Sequence, residues 1–513
     1  MFVSVGRVPL FIISVVFCAV TVVQTASQVS QGGDVVERLL AEGVRLENND
    51  DLDGALQQYT LLLERFPESV LVPEVLLRIA QGRWRSGDME GALESAAQLR
   101  ENFATTASAA GGIVLEGQIQ TEQAQSLSDL ETAQATFNRV SLLFSGAPPL
   151  DWRGHALVEE GAVGVLLGRM DAAARSFLAA IEDEKPFAGT AKAQIGLAGV
   201  FIDQKQWVPA AEILQRVIEN TDHLDLNENV NGQEAKHLLS LIHRTLLRPS
   251  IGVEPWTNVR QLPVTGARLR EPVAVDAKDD QELVFAQDDG PFAAVLDPDG
   301  QLIKGQRIND LRATWWDSKS DPYALTEREV FNPLSGERYT FQIPTDEPGE
   351  TETLEALEAG ARGLFGHWFV IDTDPRRVLM FTPDGQYQST LIERIDNPRD
   401  LAIDSRGRLF ILNERAGVVM RFTAEGVREK PVVSGGAWER PEALAVDGVG
   451  NLYILDVDAK TIDIYTSDGT VVTTIGPVLF NGVELDDPRD IAVDSTGRLF
   501  IADRGLDAIL VLE

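Results

Sequence analysis

The residues best placed to do chemistry are short polar pairs that recur in the second half of the chain. Arg399-Asp400, Glu442-Ala443 and Arg489-Asp490 occupy the same place in three segments that align without gaps: residues 397–411 (NPRDLAIDSRGRLFI), 440–454 (RPEALAVDGVGNLYI) and 487–501 (DPRDIAVDSTGRLFI). An arginine can grip a ligand carboxylate or phosphate with two parallel N–H donors. The same side chains can instead pair with one another, since exposed ion pairs form at little cost. Arg399, Asp400, Glu442, Arg489 and Asp490 are therefore the candidate ligand-binding set, with mutual ion pairing as the alternative. A second recurrence is Asp404, Asp447 and Asp494. Their carboxylates suggest calcium, but each opens an Asp-x-x-Gly turn, where an aspartate caps backbone N–H groups. Turn capping is the expected role.

Other reactive material is scarce. The 513 residues include one cysteine and five histidines. That excludes an internal disulfide framework and a cysteine-rich metal site. His237 and His243 lie six apart, not at the i, i+4 spacing of a helical metal pair. His367 stands alone in its half of the chain and cannot build a multi-histidine centre. No catalytic residue, metal site or cofactor is expected. The net charge of −34 excludes nucleic acid as a partner and opposes binding to anionic lipid. A 44% hydrophobic content fits a folded chain, and the length fits two to four domains or a repeat array.

The first 27 residues read as an address. Arg7 is the only charge before Asp34, an apolar run spans Val8 to Val23, and small residues follow at Ala26 and Ser27. This is the layout of a secretory signal peptide. An uncleaved membrane anchor is the alternative. Phe17 directly before Cys18 fits a lipoprotein signal poorly, so Cys18 reads as a hydrophobe. The expected location is periplasmic or extracellular, with no membrane span once the signal is removed.

Residues 34–247 read as helical hairpins. Ala55, Ala92, Ala133, Ala173 and Ala210 recur at separations of 37 to 41. Four residues on come Tyr59, Ala96, Phe137, Phe177 and Leu214, and seven on come Leu62, Leu99, Val140, Ala180 and Val217. This i, i+4, i+7 spacing gives each helix one apolar face. Leu39, Gly43 and Leu46 precede the first alanine, Leu157 and Gly161 the fourth, and Ala198 and Phe201 the fifth. Pro67 closes the first unit and Pro186 the fourth. The pattern resembles the tetratricopeptide repeat, of the variety found in bacterial envelope proteins. The third unit matches weakly, because the polar stretch Thr121–Ser128 is expected to distort its first helix. A final helix, Gln233 to Leu247, is expected to cap the stack. The resemblance implies a concave surface that takes a protein or peptide; a spacer or dimerisation arm is the alternative. Trp84, Trp152 and Trp207 are expected at hairpin junctions, with groove anchoring as the other reading.

A linker is expected at residues 248–257, and short alternating strands with Asp-Gly turns fill 258–513. Each aligned segment is strand, Asp-x-x-Gly turn, strand, and turns at Gly426 and Gly469 lead to a fourth strand. Four strands per 40–50 residues is the period of a propeller blade. The Pro-x-x-hydrophobic-Ala-(Ile/Val)-Asp pattern is similar to the NHL repeat, which implies a six-bladed β-propeller. Residues 271–300 and 369–385 make two further blades, and the poorly matching 311–344 must supply the sixth. The last unit lacks a fourth strand, and Val259 to Val264 can provide it. The fold class is thus multidomain, an all-α solenoid followed by an all-β six-bladed propeller. The expected function is a non-enzymatic, exported protein–protein interaction scaffold. Peptide-amidating lyases and lactonases also resemble this ring. A lactonase-like hydrolase or lyase with a carboxylate-bound divalent metal in the channel is therefore the alternative, as is a small-ligand sensor.

Overall fold

The computed structural model describes residues 31–144, 151–182, 189–221, 229–278, 282–345 and 347–513. The signal-like segment and Pro186 lie outside the described residues. The chain divides into two compact units, one ending at Val200 and the other running from Phe201 to Glu513.

Among the described residues, eleven helices of thirteen residues or more come first. They are α1 (Gln31–Asn48), α2 (Leu52–Arg65), α3 (Val72–Arg85), α4 (Met89–Asn102), α5 (Ala107–Glu122), α6 (Leu127–Leu143), α7 (Asp151–Leu166), α8 (Met170–Glu182), α9 (Thr190–Asp203), α10 (Trp207–Thr221) and α11 (Val230–Ile242). Side-chain caps start the second helices: Asp51 accepts from Gly54 N, Asp88 from Gly91 N and Ser126 from Asp129 N. Each such cap is worth about 1 kcal/mol. The five recurrent alanines and the residues seven further on are all buried.

Small residues in the first helices make room for rings in the second. A Cβ on Gly43 would lie 2.3 Å from the Tyr59 ring, and one on Gly161 2.6 Å from the Phe177 ring. The third hairpin obeys the same rule, with Gly117 facing Phe137 at 2.5 Å. Its first helix is not distorted, contrary to the sequence expectation. α5 runs unbroken to Glu122, and the polar residues that follow form the turn and the Ser126 cap. Trp84 donates its indole N–H to Glu122, and Trp152 packs against the Leu77 cluster, which places both in hairpin packing.

Six four-stranded antiparallel sheets form the propeller. Their innermost strands are Pro272–Ala277 (blade 1), Leu311–Trp316 (blade 2), Leu357–Arg362 (blade 3), Pro398–Ile403 (blade 4), Pro441–Val446 (blade 5) and Pro488–Val493 (blade 6). Blade 6 is completed by Val259–Gln261, which pairs with Ala508–Leu512 in the register Val259↔Leu512 and Gln261↔Leu510. The expected strand sharing closes the ring and removes an open edge. Blade 2 matched poorly for a physical reason. Its outer strands, Val330–Phe331 and Arg338–Tyr339, have two residues each, too few for an alternating pattern to register.

The Asp-x-x-Gly turns are capped as expected. Asp404 Oδ1 accepts from Arg406 N and Arg408 N, Asp447 Oδ1 from Val449 N and Asn451 N, and Asp494 Oδ1 from Thr496 N and Arg498 N. In the unit that begins at Phe201, the helical end packs on these same turns. Thr245 accepts a hydrogen bond from Asn451, His237 meets Ser495 at 3.3 Å, and Asp203 pairs with Arg406 at 3.0 Å. Gly497 lets α11 approach, since a Cβ there would lie 3.1 Å from Leu241. α11 ends at Ile242, and a π turn continues over His243–Leu247. Trp256, within the segment expected to link the repeats, is fully buried and donates its indole N–H to Gly497 O at 2.8 Å.

Candidate functional site in the propeller channel

The innermost strands surround a cavity of about 790 Å³ that all six blades line. One local device repeats in each blade. The pairing of the first two strands slips between the first and third residues of the inner strand, at Pro272/Ala274, Leu311/Ala313, Leu357/Ala359, Pro398/Asp400, Pro441/Ala443 and Pro488/Asp490. The second residue is left out of the ladder, and such bulges re-aim side chains. Here that residue is Val273, Arg312, Glu358, Arg399, Glu442 or Arg489, and all six line the channel. The mouth therefore carries a ring of alternating charge interrupted once by valine. Arg312 and Glu358 complete a pattern of which sequence reasoning saw only Arg399, Glu442 and Arg489. The signal was present as the residue after each inner-strand start, but blades 2 and 3 lack the proline that marks it.

The mouth arginines hold carboxylates. Arg489 contacts Glu442 at 3.5 Å and Asp487 at 2.9 Å, and Glu442 also meets Arg440 at 3.2 Å. Arg399 pairs at 2.6 Å with Glu414 of its own blade, Arg504 pairs with Asp487, and Arg312 pairs with Glu327. The mutual pairing weighed from the sequence thus forms between blades 5 and 6. Glu358 is different: burial pushes its carboxyl above the usual range, opposed by Arg312 and Arg399 nearby.

Asp400 and Asp490 stand one residue beyond the bulge, where the other blades carry alanine. Each carboxylate joins two blades. Asp400 accepts from Leu444 N of blade 5 at 2.7 Å and from its own Leu401 N at 2.8 Å. Asp490 accepts from Val275 N of blade 1 and from Ile491 N, both at 2.8 Å. A third aspartate, missed in the sequence, does the same. Asp276 accepts from Trp316 N of blade 2 and from Ala277 N, both at 2.8 Å. It follows Pro272 by four residues, whereas the turn aspartates follow their prolines by six. That spacing was the available signal. Burial, then the neighbouring carboxylates Glu358 and Asp276, push Asp400 up to about 7, although two N–H donors oppose the shift. Burial and the charge of Asp400 raise Asp490 well above the usual range.

The five candidate residues from the sequence thus line one cavity, with the arginines and Glu442 at its mouth and the two aspartates on its wall. His367 does not line it; its Nδ1 is buried without a partner, and burial lowers its pKa. Among the described residues, no group of three or more His, Cys, Asp or Glu side chains is placed to hold a metal ion.

No protein-family model matches the chain, and no curated protein matches it. Solved structures resemble its halves. A streptogramin B lyase matches with 14% identity and a TM-score of 0.38, over 50% of this chain and 98% of its own. A calcium-binding regucalcin from Agrobacterium tumefaciens matches with 12% identity and a TM-score of 0.38, over 50% and 93%. A thermophilic TPR protein from Thermus thermophilus matches with 21% identity and a TM-score of 0.32, over 39% and 98%. These likenesses concern the fold alone. The chain is built as a helical repeat region followed by a six-bladed β-propeller.

Proposed function

We propose that this chain is an exported, non-enzymatic interaction scaffold whose propeller mouth is one binding surface and whose helical repeats are another. The observation that carries this reading is the use of the channel carboxylates. Asp276, Asp400 and Asp490 each accept two backbone N–H groups and tie neighbouring blades together. A general base or a metal ligand needs a carboxylate free to engage the reacting group. The charged ring of Arg399, Glu442 and Arg489 supports recognition instead, since rim charges govern partner choice and encounter rate. The apolar run from Val8 to Val23 supports export. No helix among the described residues is long and apolar enough to cross a membrane.

The test is capture from a native envelope extract with the full chain as bait, beside Arg489→Glu and Glu442→Arg variants. A polypeptide retained by the parent chain and lost from both variants supports the scaffold and its mouth. Turnover of a lactone or ester panel by the purified chain, abolished in Asp400→Asn, replaces this reading with an enzymatic one.

A further inference from the structure

The sequence holds two Asn-Gly dipeptides, Asn231-Gly232 and Asn481-Gly482. Such a pair is open to self-modification, because glycine has no side chain to keep its backbone nitrogen away from the amide carbon of the asparagine before it. The fold treats the two in opposite ways. Asn231 and Gly232 stand in the first turn of α11, and Gly232 is buried. A Cβ on Gly232 would lie 1.9 Å from Asn229 Oδ1 and 2.4 Å from Thr221 Oγ1, so packed atoms crowd this peptide bond. Ring closure there requires the start of the helix to open.

Asn481 and Gly482 lie instead at the tip of a tight loop between the last strand of blade 5 and the inner strand of blade 6. The base of the loop is pinned: Leu479 N donates to Val483 O at 2.7 Å, and Leu485 N to Pro477 O at 3.0 Å. The tip itself, Phe480–Gly482, buries none of its residues. Asn481 and Gly482 are both exposed, and a Cβ on Gly482 would meet no described atom within 4 Å. The Gly482 N–H reaches Leu479 O at 3.3 Å, a long bond and a weak tether. Asn481 stands at φ 60, a left-handed conformation that is unfavourable outside glycine, so rotating out of it gives up little.

We propose that Asn481 is a site of spontaneous conversion to aspartate and isoaspartate, and that the conversion loosens the strand that closes the ring. The Gly482 nitrogen, giving its proton to hydroxide, attacks Cγ of Asn481. The new N–Cγ bond closes a five-membered imide, the Cγ–Nδ2 bond breaks, and the nitrogen leaves as ammonia after taking a proton from water. Water then opens the imide at either carbonyl. Opening at Cγ gives aspartate, and opening at the main-chain carbon gives isoaspartate. The consequence follows from what Asn481 touches. Its Nδ2 donates to Asn258 Oδ1 at 3.1 Å, and Asn258 Nδ2 donates to Glu513 Oε1 at 3.4 Å. Asn258 also exchanges two backbone hydrogen bonds with Glu513, at 3.1 and 3.0 Å, directly before the closing strand Val259–Gln261. A carboxylate at position 481 can only accept. It removes the donor to Asn258 and sets two anions beside one amide, whose NH2 can face only one of them.

The test holds the full chain at pH 8, folded in buffer and unfolded in urea, and follows both dipeptides by peptide mapping and by a methyl-acceptor assay for isoaspartate. In the folded chain Asn481 is expected to convert faster than Asn231 by roughly tenfold or more, since an exposed tip opens at almost no cost and a packed helix does not. In urea the two should convert alike. Asn481→Gln, with a longer side chain that does not close the five-membered ring, should abolish the isoaspartate of the folded chain, and Asn231→Gln should leave it unchanged. Equal conversion of the two sites in the folded chain, faster conversion at Asn231, or an intact Asn481 overturns the assignment of the site. Asn481→Asp supplies one product directly. Amide hydrogen exchange at Val259–Gln261 should be several-fold faster in this variant and in the aged chain than in the fresh parent; unchanged exchange in both overturns the loosening of the strand.

Discussion

The Asp490 carboxylate accepts a hydrogen bond from the backbone N–H of Val275, 215 positions earlier in the chain, at 2.8 Å. It links the innermost strands of the last blade and the first, while the strand Val259–Gln261 completes the outer edge of the last blade by pairing with Ala508–Leu512. Two backbone N–H groups, of Val275 and Ile491, depend on this one side chain. Asp490→Ala should therefore lower propeller stability by about 1–3 kcal/mol, the cost of stranding a buried donor. Urea unfolding checks this. An unchanged midpoint would show that channel water replaces the carboxylate at no cost.

The raised carboxyls give the propeller an unusual pH response. Asp400 is pushed up to about 7 and Asp490 is raised well above the usual range, so above about pH 4 these two carboxyls hold protons in the folded chain that they release in the unfolded one. Their contribution to stability is complete below the unfolded value and is lost as pH climbs through about 7. Asp468, lowered to about 2 by Lys205, works in the opposite sense but only below about pH 4, and His367, lowered by burial, opposes the two aspartates below about pH 6.5 as one group against two. Stability should thus fall between pH 5 and pH 8, by up to about 1.4 kcal/mol per pH unit for each such group. Asp400→Asn should flatten the slope. Unfolding midpoints across this range, parent beside variant, provide the measurement, and a midpoint that rises with pH contradicts the assignment.

Gly43→Ala tests the helical repeats. The added Cβ would lie 2.3 Å from the buried Tyr59 ring, whose hydroxyl donates to Glu47 at 2.9 Å. Alanine gains about 1 kcal/mol of helix propensity over glycine. Overpacking a buried ring costs roughly 1–3 kcal/mol and should win. Thermal denaturation is expected to show a net loss, and a stabilised variant would mean that the first hairpin is packed more loosely than described.

Trp256→Phe keeps most of a buried ring but removes the donor to Gly497 O. The carbonyl then loses its indole partner at a site where the ring is fully buried. A loss of about 1–2 kcal/mol is expected from the missing hydrogen bond. Hydrogen exchange at Gly497 and its neighbours should rise in the variant; identical exchange would place the weight on the ring alone.

Legibility followed periodicity. The alanines of the helical hairpins and the Asp-x-x-Gly turns recur in register with their elements, so local pattern reveals them. Gly117 facing Phe137 obeys the same rule, but the polar residues that follow belong to the turn and not to the helix, and local composition does not separate the two. Blade 2 could be assigned to residues 311–344 only by elimination, because its outer strands are too short to alternate. Arg312 and Glu358 escaped recognition, for want of a proline to mark the inner-strand start. Asp276 was visible only as a spacing that departs from the rest.

The chain's own order of residues determined which elements form, how many repeats there are and how the ring closes, because each depends on local spacing and on one strand's search for a partner. Tertiary structure alone decided the chemistry of the channel. Six bulges turn one residue per blade toward the mouth, and closure of the ring brings Asp276, Asp400 and Asp490 from blades 1, 4 and 6 within electrostatic reach. A carboxylate's proton affinity depends on burial and on which charges face it, and neither quantity exists until the ring is closed.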